Sequence, residues 1–212
     1  MVLLFDLDGT ILDTYDLIRQ NFITLFKRFL PNYKYAEEDL RSFFGPALVT
    51  TFKRIGCNEE ETQFLFKEYR KISDSLQSKY LKVFPKTKET LLALKEKGYH
   101  LAIFSNKVYE AIVSGLKEKD LLDCFEFILG VDGVSIPKPN PEGILAVKKH
   151  FNDECVYIGD APGDMLTACN ANVIGIGVTQ AGVSRETLFE NGATYVIDKI
   201  SDLVELLEEK HV

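Results

Sequence analysis

Short unbroken apolar runs, each stopping abruptly at a polar residue, set the pattern of this chain. Val2-Leu3-Leu4-Phe5 stops at Asp6, Leu101-Ala102-Ile103-Phe104 at Ser105, and Val156-Tyr157-Ile158 at Gly159-Asp160. Ile174 to Val178 and Tyr195-Val196-Ile197 follow. Runs of this length with no polar alternation predict strands buried on both faces, as in a parallel sheet. Helical segments separate them. Thr87 is placed to cap a helix that carries Leu91, Leu92 and Leu94 and closes at Lys97-Gly98. Pro141 to Phe151 and Ser201 to Lys210 also have helical spacing. Strands alternating with helices predict a doubly wound α/β domain.

From about Thr14 to Lys82 the alternation breaks. Leu17, Ile18, Phe22, Leu25, Phe26 and Phe29 keep helical spacing, and Asn58 followed by Glu59, Glu60 and Glu61 has the form of a helix start. Leu65, Tyr69, Ile72, Leu76 and Tyr80 continue that second helix along one face. The stretch holds 13 of the 24 Phe and Tyr residues, which is expected of the core of a small helical bundle. The domain expectation is therefore a core formed by 1–14 and 83–212, with a helical insertion over 15–82.

Composition narrows the function. At 212 residues, 46% hydrophobic and 27% charged, the chain is expected to fold as a globular protein. A net charge of −7 argues against a nucleic-acid partner, which would need clustered Lys and Arg. No stretch is long and apolar enough to span a bilayer, and only five residues precede Asp6, too few for the apolar region of a signal peptide. A cytoplasmic protein with no membrane partner is expected. The four cysteines have no metal-like spacing and are read as small apolar residues, Cys155 and Cys169 among them lying in apolar stretches.

In an open parallel sheet, ligands bind at the carboxyl ends of the strands. The polar residues that stop the runs should therefore converge: Asp6 and Asp8, Ser105 and Asn106, Asp160 and Asp164. Lys138 joins them from Ile136-Pro137-Lys138-Pro139-Asn140-Pro141, whose prolines fix the local backbone. Singly, each has a structural explanation as a turn, cap or solvated charge. Together they permit one chemistry. An Asp with an ordinary pKa of about 3.9 is ionised at pH 7, so Asp6 can attack phosphorus. Repulsion between that carboxylate and a phosphate calls for cations. Mg²⁺, a hard ion that binds oxygen, is expected on Asp6 and Asp160, with Lys138 as a fixed charge. The Ser105 hydroxyl and the Asn106 main chain can donate to the phosphoryl oxygens. Asp8 can protonate the departing oxygen and then deprotonate water.

At these residues the sequence resembles the haloacid dehalogenase-like hydrolases. The resemblance rests on four motifs in order: Asp6-Leu7-Asp8-Gly9-Thr10, Ser105, Lys138 ahead of Pro139-Asn140-Pro141, and Gly159-Asp160-Ala161-Pro162-Gly163-Asp164. It implies a Rossmann-like α/β core with an inserted α-helical cap domain, Asp6 as nucleophile and Mg²⁺ ligand, and Asp8 as acid/base that also lends its main-chain carbonyl to the metal. It further implies Asp160 as a metal ligand, Asp164 acting through water or bracing the ligands, Ser105 and Lys138 holding the phosphoryl group, and Thr10 positioning the loop. Within the superfamily the chain looks most like the phosphoglycolate phosphatase and pyrophosphatase group, because Phe43-Phe44-Gly45-Pro46-Ala47-Leu48 before Thr51-Phe52-Lys53 is similar to a cap loop there. On that basis Gly45 and Pro46 shape a specificity loop, and Arg41, Lys53 or Arg54 meets a second anionic group. The substrate expected is a small phosphorylated metabolite or pyrophosphate, and the protein a monomer or homodimer.

Alternatives remain at this level. A dehalogenase would give Asp8 no task, since halide leaves without a proton, and no cap lysine is marked out for a phosphonate hydrolase. A sugar phosphomutase shares the first half-reaction. A receiver-type phosphoacceptor, which is not an enzyme, shares the sheet, the acceptor Asp, Mg²⁺ and a Lys, but normally lacks the insertion and the second Asp.

Overall fold

The computed structural model of the chain describes residues 1–210. In chain order the elements are β1 (Val2–Phe5), β2 (Leu12–Asp13), α1 (Tyr15–Phe29), α2 (Glu37–Ser42), α3 (Leu48–Arg54), α4 (Glu59–Tyr80) and β3 (Lys82–Val83). There follow α5 (Thr87–Glu96), β4 (His100–Phe104), α6 (Tyr109–Glu118), β5 (Phe127–Leu129), α7 (Glu142–Phe151) and β6 (Cys155–Gly159). The chain continues through α8 (Pro162–Asn170), β7 (Ile174–Val178), α9 (Arg185–Glu190), β8 (Tyr195–Ile197) and α10 (Leu203–Lys210). Two compact units result, one from Met1–Asp13 with Val83 onward, the other from Thr14–Lys82.

The first unit is an α/β, Rossmann-like sheet with helices around it. Six parallel strands run in the order β5-β4-β1-β6-β7-β8. β1 is central, with Val2 to Phe5 in register with His100 to Ile103 on one side and with Cys155 to Ile158 on the other. The chain therefore builds outward from β1 in one direction and then returns to build in the other. The carboxyl end of β1 is the switch point where a ligand crevice forms in such sheets. All four residues of β1, and Leu101 to Phe104 of β4, are fully buried, which explains their lack of polar alternation. On one face Val2, Leu4, Ala102, Phe104 and Tyr157 pack with Ile144 and Val147 of α7. Burying each such large apolar side chain is worth about 1.5–3 kcal/mol. Gly143 makes this fit possible, because a Cβ there would stand 2.2 Å from the Phe104 ring.

The second unit is helical. Phe22, Leu25 and Phe26 of α1, Phe52 of α3, and Leu65, Tyr69 and Ile72 of α4 form its core with Leu40 and Phe43. The Phe22 ring lies 4.8 Å from Phe43 and 5.1 Å from Tyr69. Asn58 caps α4 as its sequence predicts: Glu61 N donates to Asn58 Oδ1 at 2.9 Å, and Asn58 N donates back to Glu61 Oε2 at 2.8 Å.

Three local expectations change. Thr87 is the first residue of α5 rather than its cap, because Lys86 takes a left-handed conformation (φ 62°) and the Thr87 hydroxyl donates back to Phe84 O. The last helix begins at Leu203, after a single 3₁₀ turn over Ile200–Asp202. Cys169 is exposed, since α8 turns it outward with Leu166 while Met165 and Ala168 face the core. Among the described residues no helix is long and apolar enough to cross a membrane.

Candidate active site

The site begins where β1 stops. Asp6 N still donates to Ile158 O at 2.8 Å, so the strand fixes the Asp6 backbone to the last ladder position. The chain then turns tightly. Ile11 N and Leu12 N both donate to Leu7 O at 2.9 Å, and Gly9, at φ +85°, donates to Leu12 O. Leu7 and Ile11 anchor the turn in the core. Leu7 is buried beneath the turn, and Asp8 stays near enough to Asp6 for its charge to be felt there.

A buried charge cluster stands at this point. Lys138 Nζ donates to Asp6 Oδ1 at 2.8 Å, to Asp164 Oδ1 at 2.7 Å and to the Tyr157 hydroxyl at 3.1 Å. Asp164 is held by Ala161 N, which donates to its Oδ2 at 3.0 Å, and Asp160 by the Thr10 hydroxyl at 3.1 Å. Asp160 and Asp164 are each only 1% exposed, and carboxylate oxygens of Asp6, Asp160 and Asp164 all lie within 4.8 Å of one another. Burial pushes Asp6 up to about 6; Lys138 opposes that rise, while Asp164 and Asp8 add to it. Asp6 thus ionises less easily than an ordinary carboxyl. Asp160 is raised well above the usual carboxylate range, by burial and by the Asp164 and Asp6 charges. Burial alone would lower Lys138, but Asp164 and Asp6 hold it well above its usual value.

Three carboxylates facing one ammonium leave the cluster with excess negative charge. Its donor atoms are hard oxygens from the ends of β1 and β6 and from the first turn of α8. That charge and that donor set fit a divalent cation such as Mg²⁺.

Loops aim the remaining groups. Glu142 accepts from Ser135 N and Ile136 N and so closes the segment leading to Lys138. Asn106 Oδ1 accepts from Lys138 N at 3.0 Å, and Asn170 donates to Pro139 O. The Asn106 side chain therefore braces the lysine segment, a task separate from the main-chain role expected of that residue. Ser105 is buried immediately after β4, with Lys107 N 3.4 Å from its Oγ. Gln180 steadies the first turn from the other side, donating to Thr10 O at 2.7 Å.

Two members of the site escaped the sequence. Lys107 Nζ donates to both oxygens of Asp8, at 2.7 and 3.0 Å. Tyr157, in the middle of β6, receives Lys138 and donates at 3.0 Å to Phe104 O. A tyrosine inside an otherwise apolar buried run was the available signal, because its hydroxyl must find a partner there.

Within the helical unit, Gly45 has φ +98°, the left-handed conformation that a turn before Pro46 uses. Arg54 donates to Ser42 O and Oγ, both at 2.9 Å, and lies over the Phe43 ring. Lys53 pairs with Glu59 at 3.0 Å, and Arg41 lies over the Tyr15 ring.

Residues 3–178 match the family model for haloacid dehalogenase-like hydrolases. Pyrophosphatase PpaX of Listeria innocua is 36% identical over 98% of this chain and 96% of its own length. Pyrophosphatase PpaX of Anoxybacillus flavithermus is 32% identical over 97% and 95%. Among solved structures, a "predicted phosphatase" from Clostridium acetobutylicum superposes with a TM-score of 0.86 at 26% identity, covering 98% of each chain.

Proposed function

We propose, from the premise that the chain belongs to the haloacid dehalogenase-like hydrolase family and is a phosphoric ester hydrolase of it, that it hydrolyses pyrophosphate or a small phosphate monoester through an aspartyl-phosphate on Asp6. The observation that carries this reading is the buried link from Lys138 to both Asp6 and Asp164 beside Asp160. It supports a carboxylate nucleophile at Asp6 with an ammonium cation beside it.

Asp6 attacks phosphorus, and the bond to the leaving oxygen breaks with its electron pair going to that oxygen. Asp8 supplies the proton the leaving group needs. Asp8 then takes a proton from water, whose oxygen attacks the acyl phosphate and releases inorganic phosphate and Asp6. Lys138 holds Asp6 in line and carries positive charge to the transferring phosphoryl group. The Ser105 hydroxyl and the Asn106 main-chain N–H donate to its oxygens. Bound Mg²⁺, for which the Asp6 and Asp160 carboxylates and the Asp8 carbonyl are the proposed ligands and Asp164 their support, supplies charge that offsets repulsion between Asp6 and the phosphate.

The relatives named pyrophosphatase put pyrophosphate first among substrates to try. The helical unit is read as the cap, with Gly45, Pro46, Arg41, Lys53 and Arg54 as its specificity candidates. Four free cysteines suit the reducing setting of the cytoplasm.

The test is turnover of a panel of pyrophosphate, 2-phosphoglycolate, sugar phosphates and p-nitrophenyl phosphate, with Mg²⁺ and with EDTA. Wild type should turn over at least one of these with Mg²⁺ alone, and Asp6→Asn none. Activity near wild type in Asp6→Asn, with EDTA present, overturns the proposal.

A further inference from the structure

We infer that Lys107 selects substrates whose leaving group is itself an anion, either a phosphate or an alcohol bearing a carboxylate. In the reaction proposed above, on which this role rests, Asp8 hands its proton to the leaving oxygen and so must hydrogen-bond it. Lys107 Nζ lies 2.7 and 3.0 Å from the two Asp8 oxygens. A leaving group within hydrogen-bond distance of Asp8 is then at most about two hydrogen-bond lengths from that ammonium, roughly 6 Å.

The site thus holds two lysines with divided tasks. Lys138 is bound to Asp6 and Asp164, on the side of the nucleophile, with its side chain only 6% exposed. Lys107 is bound to the acid, and its side chain is 23% exposed beside an Asp8 that is 14% exposed. The second pair is the more exposed of the two, and the departing part of a substrate must come to it to take the proton of Asp8. An ammonium has three donors, and both contacts go to the one Asp8 carboxylate, which leaves at least one donor for an incoming anion.

The backbone beneath Lys107 is fixed while its side chain is long. Val131 N donates to Lys107 O at 3.0 Å, and Tyr109 N donates to Asp132 Oδ1 at 2.8 Å, so the loop is tied at the lysine and just after it. The charge is therefore delivered from a set position. A neutral leaving alcohol makes no use of it.

The experiment compares kcat/KM for pyrophosphate, 2-phosphoglycolate and 2-hydroxyethyl phosphate, the last two being of similar size and differing in charge. Wild type, Lys107→Met and Lys107→Arg are measured with Mg²⁺. Lys107→Met should slow all three, and the two substrates with anionic leaving groups by a further ~10- to 100-fold, the effect of losing one hydrogen bond to a charged group. Lys107→Arg should restore the preference. An equal loss on all three would show that Lys107 only orients Asp8, and would overturn its role in selection. Wild type itself provides a check independent of variant folding: it must favour 2-phosphoglycolate over 2-hydroxyethyl phosphate, and that preference must shrink as salt rises. A wild type that turns over all three without preference defeats the role of Lys107 alone. One that turns over none of the three defeats that role, and one that also fails on sugar phosphates and p-nitrophenyl phosphate with Mg²⁺ defeats the hydrolase reading as well.

Discussion

Gly9 lies so close to the Asp160 carboxylate that a Cβ on it would stand 2.2 Å from Asp160 Oδ2. Gly9 also has φ +85°, where a side chain is strained whatever the space. The turn after β1 and the carboxylate after β6 therefore share one volume, and only glycine lets both occupy it.

Gly9→Ala should disturb the proposed metal site more than the fold. The backbone strain costs about 1–3 kcal/mol. Asp160 must also move, giving up its bond from Thr10 and its place near Asp6. Thermal unfolding with and without MgCl₂ separates these effects. A ligand at a hundred times its Kd stabilises by about 2.7 kcal/mol, so wild type should show a clear rise in Tm with Mg²⁺ and Gly9→Ala little or none. A rise of wild-type size in Gly9→Ala would mean that Asp160 is not needed for the ion.

Tyr157→Phe should cost stability without changing shape. The hydroxyl is fully buried, receives Lys138 and donates to Phe104 O, and it lies 3.2 Å from Asp164 Oδ1. Removing it leaves buried polar partners short of a hydrogen bond, at a cost of about 1–3 kcal/mol. In urea the midpoint should fall with an unchanged m-value. The kcat should fall too, because Lys138 loses one of the three groups that hold it. An unchanged midpoint would show that the Tyr157 hydroxyl carries no stability.

The residues legible in the sequence and those hidden from it divide along physical lines. β1, β4 and β6 could be read as strands because burial on both faces leaves them almost wholly apolar, Tyr157 in β6 and the exposed His100 that opens β4 apart. Their ends marked Asp6, Ser105 and Asp160, since the first polar residue after such a run stands at the carboxyl end of the sheet, where ligand sites form. The partners of those groups could not be read. Lys107 and Asp8 are 99 positions apart, and a lysine after Ser105-Asn106 has no local pattern that assigns it to an aspartate. Thr87 misled by one residue because the left-handed Lys86 has no glycine to announce it. Cys169 misled because an apolar stretch reads as buried, whereas a helix of nine residues still turns one side to water.

Asp8→Asn should split the two half-reactions according to the leaving group. General acid and base catalysis by one positioned side chain is worth about 10²–10⁴ in rate. With p-nitrophenyl phosphate the departing phenolate is already stable, so loss of the acid slows formation of the Asp6 acyl phosphate only slightly. Its hydrolysis still needs a base to take the proton from water, and that step bears the full loss. The variant should therefore release a burst of one nitrophenolate per active site and then turn over slowly, and its mass should rise by one phosphoryl group. With an alkyl phosphate the leaving alkoxide needs its proton at once, the first step becomes slow, and no burst should appear. Rapid-quench kinetics with intact-protein mass spectrometry reads both outcomes. Wild-type steady-state rates, or the same slow kinetics without a burst on both substrates, would remove Asp8 from the acid/base role and leave it as a backbone and charge partner of Lys107.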